Sequence, residues 1–577
     1  MQGRDDEMAT LADRWTQARA GQGGVVLMAG EPGIGKSRLI WALQQHVAQS
    51  PDAFLIHLDC SPYFTNTAFY PAAQQLERAL EFGPDDTEQR LDKLDGLLAQ
   101  YGFDLPTVGP QLARLLGLQF EGRYPPLDLP ADRQRQLTID ALITITLVRA
   151  DYQPLLLVVE DLHWIDPSSL DLLTQLIEHL PHARQLLVLS FRPEFKPPWP
   201  EGPGLDRLNL NRLDREASAR IVTEIAGLPA PPELLDQLVE KADGVPLYLE
   251  ELTKLVSEQG LIRQGNGRLD PARPRPALAV PATLADSLTA RLDRLTDAKG
   301  VAQLGAAIGR QFSYELFAAV SKTTASADTR ALRRNLARLV DAGLLFVEHD
   351  ARGETYTFKH ALIQDAAYGS LLRTTRLQYH RHIAQALTEP FPVTVETAPE
   401  LLAHHYTQAS MMAEAVPCWL DAGQRALRAS ANPEAIVHLT TGLDLLADLP
   451  AGPERAGVEL QFRLALGPAY MAIRGYAAPE VEACYQRARE LCRELGDTPQ
   501  LVPVLHGLWS YHIVRAQHTS AFTLGEQVHQ LGAATNDDGL LLQGNMELGW
   551  LYFFQGELEQ AREHLERVLA LYDHERH

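Results

Sequence analysis

Short apolar runs alternate with helix-patterned segments along the first 210 residues. Four of these runs have the length and composition of buried strands, at residues 25–29, 54–58, 155–159 and 186–191. Strands that alternate with helices predict an α/β domain, in which a parallel sheet carries helices on both faces. A mostly helical insertion at about residues 71–150, interrupted by breakers such as Gly109-Pro110, separates the second run from the third. We expect it at the rim of a domain that covers residues 1–210.

The strand pattern ends at the Pro- and Gly-rich loop 193–204, and helices dominate beyond it. Two apolar, β-favouring segments, 344–348 and 355–359, follow several helices and predict a hairpin. Helices followed by a short hairpin are typical of a winged helix. The rest of the chain therefore divides into a helical lid, a linker, a winged-helix domain and a helical repeat region, at residues 211–264, 265–281, 282–391 and 392–577.

The repeat region has a recognisable period. Its last copy fits the tetratricopeptide (TPR) template at Leu548, Gly549, Tyr552, Gly556, Ala561 and Leu565. An earlier copy begins with Leu466-Gly467. Because one repeat cannot bury its own apolar face, the copies should stack into an all-α, TPR-like solenoid; a generic helical bundle is the alternative. The sequence stops at His577 without a polar capping helix, as expected of an array that has been cut short.

Composition narrows the class of protein. With 577 residues, 45% of them apolar and 22% charged, the chain is typical of soluble globular proteins with several domains. Its apolar runs are too short to span a bilayer, and its acidic start is unlike a signal peptide, so we expect a cytoplasmic protein without membrane contact. The net charge of −22 argues against broad nucleic-acid binding. The four cysteines lack zinc-site spacing and should be buried, reduced thiols.

Residues 30–37 read Gly-Glu-Pro-Gly-Ile-Gly-Lys-Ser, a complete phosphate-binding loop between a predicted strand and a predicted helix. Backbone N–H groups converge on phosphates at its glycines, which are Gly30, Gly33 and Gly35. Lys36 is expected at the β- and γ-phosphates and the Ser37 hydroxyl on Mg²⁺. Arg38, at the start of the helix, belongs to the same candidate nucleotide-binding set. The loop predicts binding of ATP or ADP with Mg²⁺.

The apolar run 155–159 ends in Glu160 and Asp161, the form of a Walker B strand. One acid of such a pair holds Mg²⁺ and the other orients the attacking water. Position favours Glu160 on the metal side and Asp161 as the base, and the two roles can be exchanged. Both residues are therefore candidate catalytic and metal-site residues.

Three further features follow this strand. Asp166, before Pro167, predicts an N-cap and a structural role. His163 and Trp164 either line the site or pack. Arg192 ends the fourth apolar run; if that strand lies beside the strand before the phosphate loop, its cation reaches the γ-phosphate and acts as a catalytic sensor. A surface arginine is the alternative.

The motifs occur in a fixed order. They are Gly3-Arg4, the phosphate loop, Glu160-Asp161-Leu162-His163-Trp164, Phe191-Arg192-Pro193-Glu194 and Gly244-Val245-Pro246. This order resembles the STAND-class AAA-type ATPases, of the kind attached to class III adenylate/guanylate cyclases and to LuxR-type regulators, with C-terminal TPR-like repeats. The resemblance covers nearly the whole chain, including segments 358–368 and 402–406.

The resemblance implies roles beyond those that spacing indicates. It places Arg4 near the adenine, Pro246 against the base or ribose from the lid, and His360 where a histidine senses the diphosphate of a closed state. It also implies a switch, in which ADP holds a closed monomer and ATP opens it for self-assembly. The repeats would receive a protein partner or a small inducer.

The leading expectation is an ATP-binding, slowly hydrolysing signalling switch that couples nucleotide state to partner binding. One alternative is an ATP-controlled winged-helix transcription regulator, which the net charge opposes. Another is a non-hydrolysing, ATP-gated scaffold for a separate cyclase. Cyclase activity is not expected of this chain, because it has no recognisable cyclase domain with metal-binding carboxylates. The output domain is expected to be absent or supplied by another protein.

Overall fold

The computed structural model divides the chain into two units, Met1–Thr397 and Ala398–His577. The structure describes residues 2–82, 85–120, 122–125, 129–227, 230–258, 283–324, 329–350, 353–388, 398–496 and 499–573. The predicted linker, 265–281, lies outside these residues. These two units are coarser than the domain limits predicted from the sequence, which stay predictions.

A five-stranded parallel sheet forms the centre of the first unit. In chain order its strands are β1 (Gly24–Ala29), β2 (Phe54–Asp59), β3 (Leu155–Glu160), β4 (Gln185–Phe191) and β5 (Leu205–Asn209). Their order in the sheet is β2-β3-β4-β1-β5, and every neighbouring pair is parallel. Strands β1, β3 and β4 are buried along their whole length, which explains their uninterrupted apolar sequences. The order places β4 beside β1, as the interpretation of Arg192 requires.

Sequence analysis missed β5. Its sequence, Leu-Asp-Arg-Leu-Asn, mixes apolar and charged residues, and three of its five residues are only half-buried while two are exposed. An edge strand pairs along one side only and does not need a continuous apolar run. The pattern therefore looked like part of the preceding loop.

Helices cover both faces of the sheet, which confirms the α/β prediction. The helices of this part are α1 (Asp5–Arg19), α2 (Lys36–Ala48), α3 (Tyr70–Ala79), α4 (Thr87–Gln100), α5 (Leu105–Leu115), α6 (Ala131–Tyr152) and α7 (Pro167–His179). Successive strand residues point to opposite faces. Val26 and Val158 accordingly join a core with α1 and α2, whereas Val25 and Leu157 join a second core with the insertion helices.

The insertion consists of helices α3 to α6, as predicted, with one correction. Gly109 and Pro110 lie inside α5 and do not separate two elements. Pro110 falls in the second turn of that helix, where a missing N–H removes one hydrogen bond without ending the helix.

Two helical groups complete the first unit. Helices α8 (Arg215–Ala226), α9 (Pro232–Ala242) and α10 (Pro246–Glu258) share a core that includes Val222, Leu238 and Leu252. The second group, called here the 283–388 module, contains α11 (Leu284–Arg294), α12 (Asp297–Ile308), β6 (Gln311–Ser313), α13 (Tyr314–Thr324), α14 (Thr329–Asp341), β7 (Leu345–Asp350), β8 (Gly353–Phe358), α15 (Ala361–Gly369) and α16 (Arg373–Thr388).

The predicted hairpin of this module is present as β7 and β8, which pair antiparallel. A third strand, β6, pairs with β8 and was missed because it has only three residues. The resulting sheet has the order β6-β8-β7. Classification of the module as a winged helix stays a prediction.

The second unit is helical throughout its described residues. Its helices are α17 (Pro399–Gln408), α18 (Met412–Arg428), α19 (Asn432–Ala447), α20 (Pro453–Arg474), α21 (Pro479–Leu495), α22 (Leu501–Val514), α23 (His518–Thr535), α24 (Asp538–Gln555) and α25 (Leu558–Leu571). Each helix packs on the next one in the chain, as in a repeat array. No helix in the described part of the chain combines the length and apolar character needed to cross a bilayer.

Glycines allow close packing between these helices. The ring of Tyr485, on α21, lies between Gly467 of α20 and Gly507 of α22. A Cβ atom at Gly467 would come within 2.2 Å of the ring, and one at Gly507 within 2.3 Å. Both positions therefore need a residue without a side chain.

Gly467→Ala is expected to destabilise helices α20 to α22 by about 1–3 kcal/mol, because the new methyl group overlaps the Tyr485 ring. Hydrogen-exchange mass spectrometry of the full chain measures this as faster exchange in residues 453–514. Gly457→Ala is the matched control, since it lies in the same helix with open space at its Cβ position. It should slow exchange by stabilising the helix by about 0.5–1 kcal/mol. Equal effects of the two variants would contradict the packing argument.

Candidate functional site

The phosphate loop connects the end of β1 to the start of α2. Its backbone turns through Gly33, with φ of +79°, and Gly35, with φ of +106°, a left-handed conformation that side chains disfavour. Gly35 occupies the N-cap of α2, and no side chain caps that helix. The first N–H groups of α2 are thus left to an external acceptor, and a helix N-terminus of this kind suits an anion.

Lys36 is the buried cation of the loop. Its Nζ donates hydrogen bonds to the carbonyl oxygens of Gly30 at 2.7 Å and Glu31 at 3.1 Å. Burial lowers the pKa of Lys36 from its ordinary value, with Asp161 opposing this change and Arg192 adding to it. The loop therefore keeps a partly desolvated ammonium group beside the helix N-terminus, where a phosphate would stabilise its charge.

The hydroxyl of Ser37 and the carboxylate of Glu160 lie together at the end of β3. Ser37 Oγ donates to Glu160 Oε2 at 2.5 Å, and Glu160 is buried. Hydroxyl and carboxylate oxygens are ligands that Mg²⁺ accepts, so the residues fit the metal. Among the described residues there is no group of three or more His, Cys, Asp or Glu side chains that could hold a metal ion. A Mg²⁺ ion here would be bound by these two side chains together with phosphate oxygens and water, as is usual for nucleotide sites.

Asp161 carries an ion pair that sequence analysis missed. Its Oδ2 accepts a hydrogen bond from Nη1 of Arg310 at 2.6 Å, and both side chains are largely buried. Burial opposes the charge of Arg310, but Asp161 and Asp59 outweigh it and raise the pKa of the guanidinium. Arg310 lies between α12 and β6 in the 283–388 module. A single arginine in a short connection carries no local signal, so only the fold reveals the contact.

A second missed residue, His57 on β2, lies beside Glu160. Its Nε2 is 3.3 Å from Glu160 Oε1 and 3.6 Å from Asp59 Oδ1, while its Nδ1 is 2.7 Å from Gln44 Nε2. Burial alone would lower the pKa of His57, but the two carboxylates raise it to about 10. One histidine in an otherwise ordinary strand gave no sequence signal.

Arg192 lies at the end of β4, next to the phosphate loop. Its guanidinium carbon is 5.1 Å from the centroid of the Trp164 ring, and its charge contributes to the low pKa of Lys36. His163 packs on Trp164 with ring centroids 4.2 Å apart, and burial lowers its pKa to about 4. The structure therefore brings Arg192 and His163 to the same edge as Lys36, and their roles toward phosphate stay predictions.

Asp166 has the structural role expected of it. Its carboxylate accepts hydrogen bonds from the backbone N–H groups of Ser169 at 2.8 Å and Phe69 at 2.9 Å. It is the N-cap of α7, as predicted, and it also fixes the start of the insertion.

Two further candidate residues, Arg4 and Pro246, lie next to the phosphate loop. Arg4 is buried and donates to the backbone carbonyls of Ile34 and Asn211, so it braces the phosphate loop. Pro246 begins α10, and the next N–H, that of Leu247, donates to the Gly33 carbonyl at 3.2 Å. Contacts of Arg4 and Pro246 with the base or ribose stay predictions.

Two candidates remain, Arg38 in the first turn of α2 and His360 before α15. Arg38 is exposed and places its guanidinium carbon 4.6 Å from the centroid of the Trp41 ring. His360 is the N-cap residue of α15, on the module. Contact of His360 with a diphosphate and of Arg38 with nucleotide stay predictions.

Residues 1–189 match the family model of the AAA ATPase domain. Over 581 aligned residues it is 27% identical to an uncharacterized protein of Rhizobium meliloti (strain 1021), covering 99% of this chain and 55% of the relative. The chain thus spans about half the length of the curated relative that it matches.

Two solved structures are similar to this chain at low identity. One is a Signal Transduction ATPase with Numerous Domains (STAND) protein with a tetratricopeptide repeat sensor from Pyrococcus horikoshii, with 12% identity and a TM-score of 0.40 over 97% of this chain and 76% of that one. The other is Cdc6p from Pyrobaculum aerophilum, with 11% identity and a TM-score of 0.27 over 64% and 95%.

Acidification is expected to destabilise the first unit through the buried His360. Burial lowers the pKa of His360 to about 4, with Lys359, Arg310 and Lys254 adding to this effect and Glu250 opposing it. Unfolded histidine titrates near 6.5, so the unfolded state takes up the proton first, and stability is lost as the pH falls from about 6.5 to about 4. Melting temperatures of the wild type and His360→Gln between pH 7.5 and 5 test this. The wild type should lose more stability than the variant, and equal losses would contradict the assignment.

Proposed function

We propose that this chain, with its AAA ATPase domain, is an ATP-binding and slowly hydrolysing switch. In this proposal the nucleotide state controls the position of the 283–388 module. The observation that carries it is the ion pair between Arg310 of the module and Asp161 of the Walker B strand. Because the same acid is the candidate base for hydrolysis, chemistry at the site and attachment of the module compete for one side chain.

Nucleotide binding is supported by three adjacent features. These are the uncapped start of α2, the buried Lys36 and the paired oxygens of Ser37 and Glu160. The loop N–H groups and Lys36 would hold the β- and γ-phosphates. Ser37 and Glu160 would hold Mg²⁺, which supplies positive charge to the phosphate oxygens.

Slow hydrolysis is supported by the pairing of Asp161. A carboxylate oxygen that accepts a charge-assisted hydrogen bond from a guanidinium is occupied by that contact. While Arg310 contacts Oδ2 of Asp161, that oxygen is not available to the attacking water. Release of Arg310 would free the oxygen, so hydrolysis would report release of the module.

Further ion pairs attach the module to α10. Arg291 donates to both carboxylate oxygens of Glu251, at 2.6 and 2.8 Å, and both side chains are mostly buried. Lys359 lies 3.4 Å from Glu250. Since α10 also contacts the phosphate loop through Leu247 and Gly33, the module is linked to the nucleotide site by two separate routes.

The output of the switch would be read by partners. The helical repeats of the second unit are the proposed receiver for a protein partner or small inducer, and ATP-dependent self-assembly is the proposed response. We assign the protein to the cytoplasm. A net charge of −22 disfavours nucleic acid as the partner.

Lys36→Ala is expected to weaken binding of Mg²⁺·ATP at least tenfold, because it removes the buried cation of the phosphate loop. Titration of a fluorescent ATP analogue against the purified chain measures this. Lys322→Ala, an exposed lysine on α13, is the control and should bind as the wild type does. Failure of the wild type to bind any nucleotide would overturn the proposed function.

Arg310→Ala is expected to raise the single-turnover rate of phosphate release on the order of tenfold, equivalent to about 1.4 kcal/mol of barrier. The variant frees Asp161 and removes one of the two attachments of the module. Arg333→Ala is the matched control, because its partner, Glu354, belongs to the same module. Adding Asp161→Asn should abolish the gain. An unchanged or slower rate in Arg310→Ala would show that Arg310 does not restrain hydrolysis, and no release from any variant would identify a binding-only scaffold.

A further inference from the structure

We propose that His57 is a positioning residue for Glu160 and that Gln44 holds His57 on its other ring nitrogen. This arrangement sets the affinity of the site for the metal ion of a bound nucleotide. The inference rests on the proposed nucleotide binding and extends it to residues that belong to no motif. It concerns the orientation of one carboxylate, with His57 acting through Glu160 and not on the nucleotide itself.

The sheet places these side chains on one face. Strands β2 and β3 are parallel, with His57 opposite Val158 and Asp59 opposite Glu160. Residues two apart on a strand, and residues paired across neighbouring strands, share a face. Val158 belongs to the core shared with α2, so His57 and Glu160 lie on the side of the sheet that α2 covers.

The two oxygens of Glu160 have different partners. Oε1 lies 3.3 Å from His57 Nε2, and Oε2 accepts the hydroxyl of Ser37 at 2.5 Å. A buried carboxylate with a partner on one oxygen only could rotate about its terminal torsion, which is broad. The ion-pair contact of His57 with Oε1 restrains that rotation and favours the orientation in which Oε2 is directed at Ser37, the other candidate ligand of Mg²⁺.

His57 is itself held in place. Its Nδ1 is 2.7 Å from Gln44 Nε2 on α2. A side-chain amide has a donor nitrogen and an acceptor oxygen, so Gln44 can pair with Nδ1 of a neutral ring through the nitrogen and of a protonated ring through the oxygen. Gln44 and Ser37 are seven residues apart on that helix, which is two turns, so they lie on the same side of it. The contacts therefore run from Ser37 to Glu160, His57, Gln44 and back along α2, with a hydrogen bond at Nδ1 of His57 and an ion-pair contact at Nε2.

Removing such an outer partner typically reduces metal affinity 10- to 100-fold, because the ligand loses its orientation. We therefore expect His57→Ala to reduce metal affinity about tenfold. His57→Gln retains an amide N–H that can reach Oε1 and should restore most of the loss. Gln44→Leu should act in the same direction with a smaller effect.

The experiment uses the full chain with a slowly hydrolysed ATP analogue. Mn²⁺ binding is measured by electron paramagnetic resonance, and analogue affinity is measured with Mg²⁺ and with EDTA. In His57→Ala the ratio of analogue affinity with metal to affinity without it should fall about tenfold. The double variant His57→Ala/Gln44→Leu should be no worse than His57→Ala, since Gln44 acts through His57. His46→Ala, an exposed histidine on α2, is the control.

Two results would overturn the inference. One is the wild-type metal affinity in His57→Ala; the other is an equal loss of analogue affinity with and without metal, which marks a general structural defect. If His57→Ala does not fold, Gln44→Leu and His57→Gln carry the same test. Failure of the proposed function is distinguishable, because then the wild type binds the analogue under neither condition.

Discussion

Charge buried at the carboxyl edge of the parallel sheet is the constraint on which the rest of the first unit depends. Glu160 and Asp161 lie at the end of β3, whose other residues are apolar and buried, and Lys36 lies at the start of α2. A buried ion is costly unless it is paired and hydrogen-bonded. Lys36 is paired with carbonyl groups of its own loop, whereas the two acids are paired with residues from other parts of the chain, so the partners of the acids decide which elements contact the site.

The partners of the two acids come from different parts of the first unit. Glu160 is held by Ser37 and His57, which belong to the sheet domain itself, so its surroundings are preserved when other parts move. Asp161 is paired with Arg310, which belongs to a separate group of helices and strands. One acid is thus a fixed element of the site and the other a point of attachment. In the proposed switch, this division would separate holding the metal from controlling hydrolysis.

Local patterns predicted the central strands, the phosphate loop and the Asp166 cap, because each depends on residues that are neighbours in the chain. Edge strand β5 was not predictable, since its mixed composition reflects burial on one side only. Arg310 was not predictable either: its partner is 149 residues away, and its own neighbours give no hint of a buried anion. His57 needed the strand order, because β2 and β3 are neighbours in the sheet although the helical insertion separates them in the chain. The sequence thus identifies groups that contact phosphate more readily than groups that restrain them.

The ring of Tyr485 between two glycines has a mechanical consequence for the second unit. The Tyr485 ring of α21 fills the space that side chains would occupy on α20 and α22. The three helices are therefore packed closely against one another. Interiors packed this closely have low compressibility and transmit strain. A load applied at one end of these three helices is passed to the other end with little bending between them, so this stretch of the array behaves as a stiff lever arm.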